Sequence, residues 1–147
     1  MDAIQLLKDD HERMKKLLTD IEKTDESDTS TRERLFTQAR DDLTIHEAIE
    51  EEIFYPALKE HPKAKEIVLE AYEEHGVVDM IMADIENVPF DDERWAAKFT
   101  VMKENIEHHI EEEEKEMFKQ ARDVFEKQDL EELGRRMTAR KEELQAA

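Results

Sequence analysis

The chain has no cysteine, two glycines and three prolines in 147 residues. Without cysteine there are no disulfides, thiolate zinc sites, iron–sulfur clusters or thiol nucleophiles. So few glycines and prolines leave little material for tight turns, which argues against all-β and Rossmann-type chains. Basic residues are also short: 22 Lys and Arg face 41 Asp and Glu, for a formal net charge of -19. Such an excess repels phosphate, so neither nucleic acid nor an anionic membrane is expected as a partner. No apolar run approaches the length of a membrane span. The N-terminus, MDAIQLLKDDHERMKK, has no basic region followed by an apolar stretch, so no signal peptide is expected. A Gly-rich phosphate loop and a Ser/Thr–His nucleophile–base set are missing too. What remains as a soft metal ligand in quantity is histidine, six of them, in a chain that reads as soluble, cytoplasmic and all-α.

A composition of 43% charged residues could belong to a disordered acidic segment, but the 38% that is hydrophobic is laid out periodically. The length suits one domain with its own core. From Asp2 to about Thr24, Ile4, Leu7, Met14, Leu18 and Ile21 alternate three and four apart, the seam of an amphipathic helix. Lys23–Thr29 reads as a loop, and Ser30 with Glu33 as the capping box of a second helix ending near Lys59. That helix carries Leu35, Ala39, Leu43, Ile53 and Ala57 on one face, with Pro56 expected to bend its last turn. A third helix is expected over Lys63–Asn87, with Val68, Ala71, Val78, Met82 and Ile85 inward. A fourth runs from Asp92 to about Phe125 on Trp95, Phe99, Met102, Ile106 and Met117.

Four such helices with short links predict an up-down-up-down antiparallel four-helix bundle over residues 1–128. Residues 129–147 add a short C-terminal amphipathic helix, opened by Asp129 and Glu132 in capping-box spacing. Its face of Leu130, Leu133, Met137 and Leu144 is thin and weakened by Gly134, which leaves docking, pairing with another chain, or fraying open.

Each bundle helix places one histidine in its own seam: His11, His46, His75 and His109. Two of them have a carboxylate one turn later, Glu50 after His46 and Glu113 after His109. A lone seam histidine is ordinarily a hydrogen-bonded core residue. Four together, with two carboxylates that would repel each other when buried, require something positive between them. The heights agree: at about 1.5 Å per residue, His11 and His46 lie roughly 20 and 24 Å from the first link. His75 and His109 lie roughly a dozen and seventeen residues from the third, which puts all four within about a turn of one level. Four imidazoles and two carboxylates exceed one tetrahedral zinc and suit two cations bridged by the carboxylates. Mixed N/O ligation with open positions is the pattern of redox-active non-haem iron, although ligand type alone leaves zinc, manganese or a mixed pair open.

The motifs Asp10-His11-Glu12, HEAIEEEIFYP (His46–Pro56), Glu74-His75 and HIEEEEKEMF (His109–Phe118) resemble those of the hemerythrin-like (HHE cation-binding) family in order, spacing and helical phase. The resemblance covers about residues 3–125. It implies a non-haem di-iron centre, oxo- or hydroxo- and carboxylate-bridged, with His11, His46, Glu50, His75, His109 and Glu113 as ligands and the two glutamates as bridges. The oxygen carriers of the family have a second histidine where this chain has Asp79, and H-x-x-x-x-D where it has His109-x-x-x-Glu113. The chain therefore resembles a branch with more open iron, which implies reaction with oxygen, peroxide or nitric oxide as sensor, scavenger or peroxide-decomposing enzyme. A non-catalytic module for iron storage, sensing or delivery is the alternative. Glu47, Tyr72 and Asp79 are further candidates for an open position, and a monomer or weak homodimer is expected. His108 is about 100° out of phase with the seam, and His61 is expected to be exposed. The other carboxylates of Glu50–Glu52 and Glu111–Glu114 read as a solvated face, and the methionines as packing.

Overall fold

The computed structural model describes all residues, Met1–Ala147, and every regular element is helical. Helix α1 spans Ala3–Glu22, and α2 (Thr29–Ile49) continues through a π-helical turn (Glu50–Phe54) into α3 (Tyr55–Lys59). A 3-10 turn at Pro62–Ala64 leads into α4 (Lys65–Ile85). Helix α5 (Glu93–Glu112) passes through a second π-helical turn (Glu113–Met117) into α6 (Phe118–Val124), and α7 (Lys127–Ala146) ends the chain. The rods α1, α2–α3, α4 and α5–α6 form the expected antiparallel bundle. No helix is long and apolar enough to cross a membrane.

Two helix starts differ from the sequence expectation. The cap of α2 is Asp28, whose carboxylate accepts from Thr31 N at 3.3 Å, so Ser30 lies inside the first turn. The cap of α7 is Glu126, with Asp129 as the third helical residue bonding back to Glu126 N at 2.9 Å. Both are reciprocal or Asp caps of the usual chemistry, set earlier in the chain.

Each π-helical turn begins at a seam glutamate and adds a residue to one turn. Tyr55 N bonds back to Glu50 O, and Phe118 N to Glu113 O. The extra residue rotates the helix downstream of it, which is why Ile53, Phe54 and Tyr55 are buried in succession. The departure from α geometry expected at Pro56 is this wide turn just before it. The second turn, which no proline follows, shows that the ring is not its general cause.

The apolar core falls into two clusters. One holds Ala3, Ile4, Leu6, Leu7, Phe54, Tyr55, Leu58, Val68 and Phe118 with the α7 residues Leu130, Leu133 and Met137. The other holds Met14, Leu18, Ile21, Phe36, Val78, Trp95, Phe99 and Ile106. Leu35, Leu43 and Met82, expected in the seam, are only partly buried, and Phe36 takes the inward place. Buried Arg32, not foreseen from the sequence, ties two links together at one end of this cluster. It donates to Thr24 O at 2.8 Å and Phe90 O at 2.7 Å and lies 4.6 Å over the Trp95 ring.

Helix α7 docks on the bundle. Gly134 is not a weak point in it but the position that permits contact: a Cβ there would stand 2.8 Å from Ala3 N and Asp2 C. Alanine would gain about 1 kcal/mol in helix propensity but force backbone apart, and overpacking of this kind costs about 1–3 kcal/mol. We expect Gly134→Ala to lower the urea-unfolding free energy of the metal-free protein. An equal or higher value would show that α7 is loosely held.

Candidate metal centre

Between the two apolar clusters lies a polar layer. His11 comes from α1, His46 from α2, His75 from α4 and His109 from α5, while Glu50 and Glu113 open the two π-helical turns. All six are buried, with Glu50 at 0% and Glu113 at 1% exposure. The fold thus brings together the residues that helical phase and height had singled out. The resulting His/Glu clusters are compatible with metal binding. His11, His46, Glu50 and Glu113 form one group whose ligand atoms lie within 4.8 Å of one another, and Glu50, His75 and His109 form a second.

The imidazoles are paired, with ring centres 5.1 Å apart for His11–His46 and 4.8 Å for His75–His109. The carboxylates lie between the pairs. Glu50 Oε1 is 3.3 Å from His46 Nε2 and 3.2 Å from His75 Nε2. Glu113 places Oε1 3.1 Å from His11 Nε2 and Oε2 3.1 Å from His109 Nε2. These separations are short, yet His11 Nε2, His46 Nε2, both Glu50 oxygens and Glu113 Oε1 have no hydrogen-bond partner. Orphaned buried atoms of this kind cost about 1–3 kcal/mol each, and more when charged, unless something else satisfies them. Lone pairs that converge without bonding one another fit a cation donor set. Burial pushes the Glu113 carboxyl up, but the close Glu50 carboxyl and the neighbouring His109 and His11 outweigh it and hold it well below the usual range.

The opposite nitrogen of every imidazole is held by a carboxylate from another rod. His11 Nδ1 meets Glu114 at 2.7 Å, His46 Nδ1 meets Asp10 at 2.9 Å, His75 Nδ1 meets Glu51 at 2.7 Å and His109 Nδ1 meets Glu74 at 2.6 Å. An Nδ1–H donated to a carboxylate fixes the tautomer and turns Nε2 inward, as in many histidine metal sites. Glu51 and Glu114 therefore do not belong to a purely solvated face, which corrects the sequence expectation. The available signal was adjacency: each orienting carboxylate stands next to a seam residue, as Asp10 does to His11 and Glu51 to Glu50.

Sequence reasoning also missed Tyr55. Its hydroxyl donates to Glu113 Oε2 at 2.5 Å and lies 3.3 Å from both His75 Nε2 and His109 Nε2. Burial, with the Glu113 and Glu50 charges, raises the phenol well above its ordinary pKa, so it keeps its proton. Tyr72 stands behind it, 5.3 Å ring to ring, with its hydroxyl directed to Glu51 O at 3.4 Å. Glu47 is buried and pushed up to about 8 by burial and by the neighbouring carboxyl of Asp79, which is itself exposed. His108 is exposed and out of phase as expected, 3.6 Å from Glu112. His61, expected in solvent, is half-buried because its ring packs edge-on against Phe125 at 5.1 Å.

A cavity of about 280 Å³ reaches from His11, His46, His75 and His109 past Met14, Val78, Ile106 and Ile110 to the surface at Arg13 and Gln145. The site is thus approachable, and its inner walls are partly apolar.

Bundle and site together define a class of protein: four facing helices that project His and Glu into a shared core layer able to hold cations. The model of the hemerythrin HHE cation binding domain matches residues 2–121, and the chain belongs to that family. The crystal structure of a hemerythrin HHE cation binding domain-containing protein from Mycobacterium kansasii is similar, with a TM-score of 0.88 and 28% identity. The match covers 99% of this chain and 88% of that one. No match to a curated protein was found.

Proposed function

We propose that the chain binds two iron ions through His11, His46, Glu50, His75, His109 and Glu113, and uses them on a small oxidant such as oxygen, peroxide or nitric oxide. The observation that carries this reading is the set of buried, unpartnered nitrogen and carboxylate lone pairs converging from four helices. Glu50 and Glu113 each approach imidazoles of both pairs, the position a bridging carboxylate needs. Bound iron would supply the change of oxidation state and an open coordination position.

The chain's own residues do the rest. Asp10, Glu51, Glu74 and Glu114 orient the imidazoles. Tyr55 keeps its proton and donates a hydrogen bond to Glu113, and the cavity admits a small ligand while its apolar residues limit bulk water. That open approach favours reactivity over a metal that only braces the bundle.

The test is metal content after iron-replete expression, with absorption spectra in both oxidation states. Two irons per chain and a charge-transfer band on adding oxygen, peroxide or nitric oxide to the ferrous protein are expected. One zinc and no iron would overturn the reading. Two irons without any spectral response would leave a storage or delivery module.

A further inference from the structure

The four carboxylates that orient the imidazoles are not equivalent. Glu114, Glu51 and Glu74 are 26%, 40% and 27% exposed, and each pairs with no cationic side chain besides its histidine. Asp10 is 9% exposed and carries three partners: His46, Arg13 and Lys141. Lys141 Nζ lies 2.5 Å from Asp10 Oδ1, and Asp10 Oδ2 lies 2.9 Å from His46 Nδ1. One short chain of contacts thus runs from the C-terminal helix to a proposed ligand.

We infer that Lys141 is a positioning residue for His46, and that α7 is a working part of the metal site rather than only a packing element against α1 and α2. The inference rests on the reading of His46 as a ligand. Helix α7 lies beyond the residues matched by the family model, which end at 121. It is firmly placed by Leu130, Leu133 and Met137 in the core and by the Gly134 crossing. Lys141 is itself only 20% exposed, whereas Arg13, the other cation on Asp10, is 64% exposed. Without Lys141 the carboxylate would be clamped from one side by a solvated arm, and the imidazole it steers could turn. Lys141 and Gln145 also line the cavity beside Asp10 and His46, so the same residue forms part of its rim.

The test uses the full chain and Co(II) alone as probe, read by its d–d absorption and by the rate at which a chelator strips it. Lys141→Met is expected to weaken one of two Co(II) ions by about 10-fold, the lower end of the effect of losing an outer hydrogen-bond partner, and to speed stripping. Lys141→Arg should restore most of the affinity. Arg140→Met removes the neighbouring α7 pair to Glu52, 3.0 Å long and exposed, without touching Asp10, and should bind as wild type. Should Lys141→Met fail to fold by circular dichroism, Lys141→Gln, which keeps a donor without the charge, takes its place.

Wild-type affinity and stripping rate in the Lys141 variant, or an equal loss in Arg140→Met, would overturn the inference while the ligand reading stands. Fewer than two Co(II) bound by the wild-type chain would overturn the ligand reading and the inference with it.

Discussion

Glu50→Ala is expected to reduce bound metal from two ions to one or none, while His61→Ala leaves the count unchanged. Glu50 Oε1 stands 3.3 and 3.2 Å from imidazoles of both pairs, so its removal affects both cation positions at once. Loss of an outer partner of a metal ligand costs about 10–100-fold in affinity, and loss of a bridge should exceed that. A ligand that binds only the folded state stabilises it by about 2.7 kcal/mol at a hundred times its Kd. At roughly 2–4 °C per kcal/mol for a domain of this size, the variant should forfeit about 5–10 °C of the metal-induced rise in Tm. Glu113→Ala should behave in the same way, since its two oxygens reach His11 and His109. Metal analysis together with melting curves, with and without metal, provides the check. If Glu50→Ala and His61→Ala behave alike, the ligand assignment is wrong.

Metal-free and metal-loaded protein should respond to pH with opposite slopes. Burial alone would push His46 down, but the Glu50 charge and the hydrogen bond to Asp10 outweigh it and lift the group from 6.5 to about 10. His75 is likewise pushed down by burial and lifted by Glu50 to about 9, and His109 is raised in the same direction. A raised folded-state pKa means that the folded chain holds a proton the unfolded chain has released. Its stabilisation is complete below the unfolded value near 6.5 and disappears as pH rises through about 9 to 10.

The metal-free protein should therefore lose stability between about pH 7 and 10. Asp10 and Glu113 are held below the usual carboxylate range, so their contribution is lost only on acidification and does not offset this trend. Bound cations need those same imidazoles deprotonated, so metal affinity, and with it the stability of the loaded form, should climb over the same interval. Urea unfolding at several pH values with and without a buffered divalent cation would show crossing curves. Parallel curves would mean that protons and metal do not compete for these side chains.

Much of the site is legible in the amino-acid order because the relevant geometry is local. His11 stands between Leu7 and Met14, and His75 between Ala71 and Val78, so helical phase alone places both inward. Counting residues from each link then sets the four imidazoles at one level. The same counting cannot find Tyr55. A straight α-helix from His46 onward puts it out of phase, and only the π-helical turn at Glu50–Phe54 rotates its hydroxyl to Glu113. The clue is the run Ile53-Phe54-Tyr55 before Pro56, three large side chains that a regular amphipathic helix would not bury in succession.

The orienting carboxylates were hidden for another reason. Asp10 serves His46 on the neighbouring helix, and Glu74 serves His109, so their roles depend on which rods are adjacent. The same holds for α7, whose Gly134 looks like a defect by propensity and becomes a contact only where two backbones cross.

By itself, the sequence determined what it lacks and what repeats along each helix: no thiol chemistry, four amphipathic seams, and a histidine in every seam at matching height. Those properties arise from residue chemistry and the 3.6-residue period, which act over a few turns of chain. Tertiary structure alone decided the Tyr55 hydroxyl, the exchange of carboxylates between rods, the approach cavity and the reach of Lys141 to Asp10. Each of these depends on a distance between segments far apart in the chain, and that distance is set only when the helices pack.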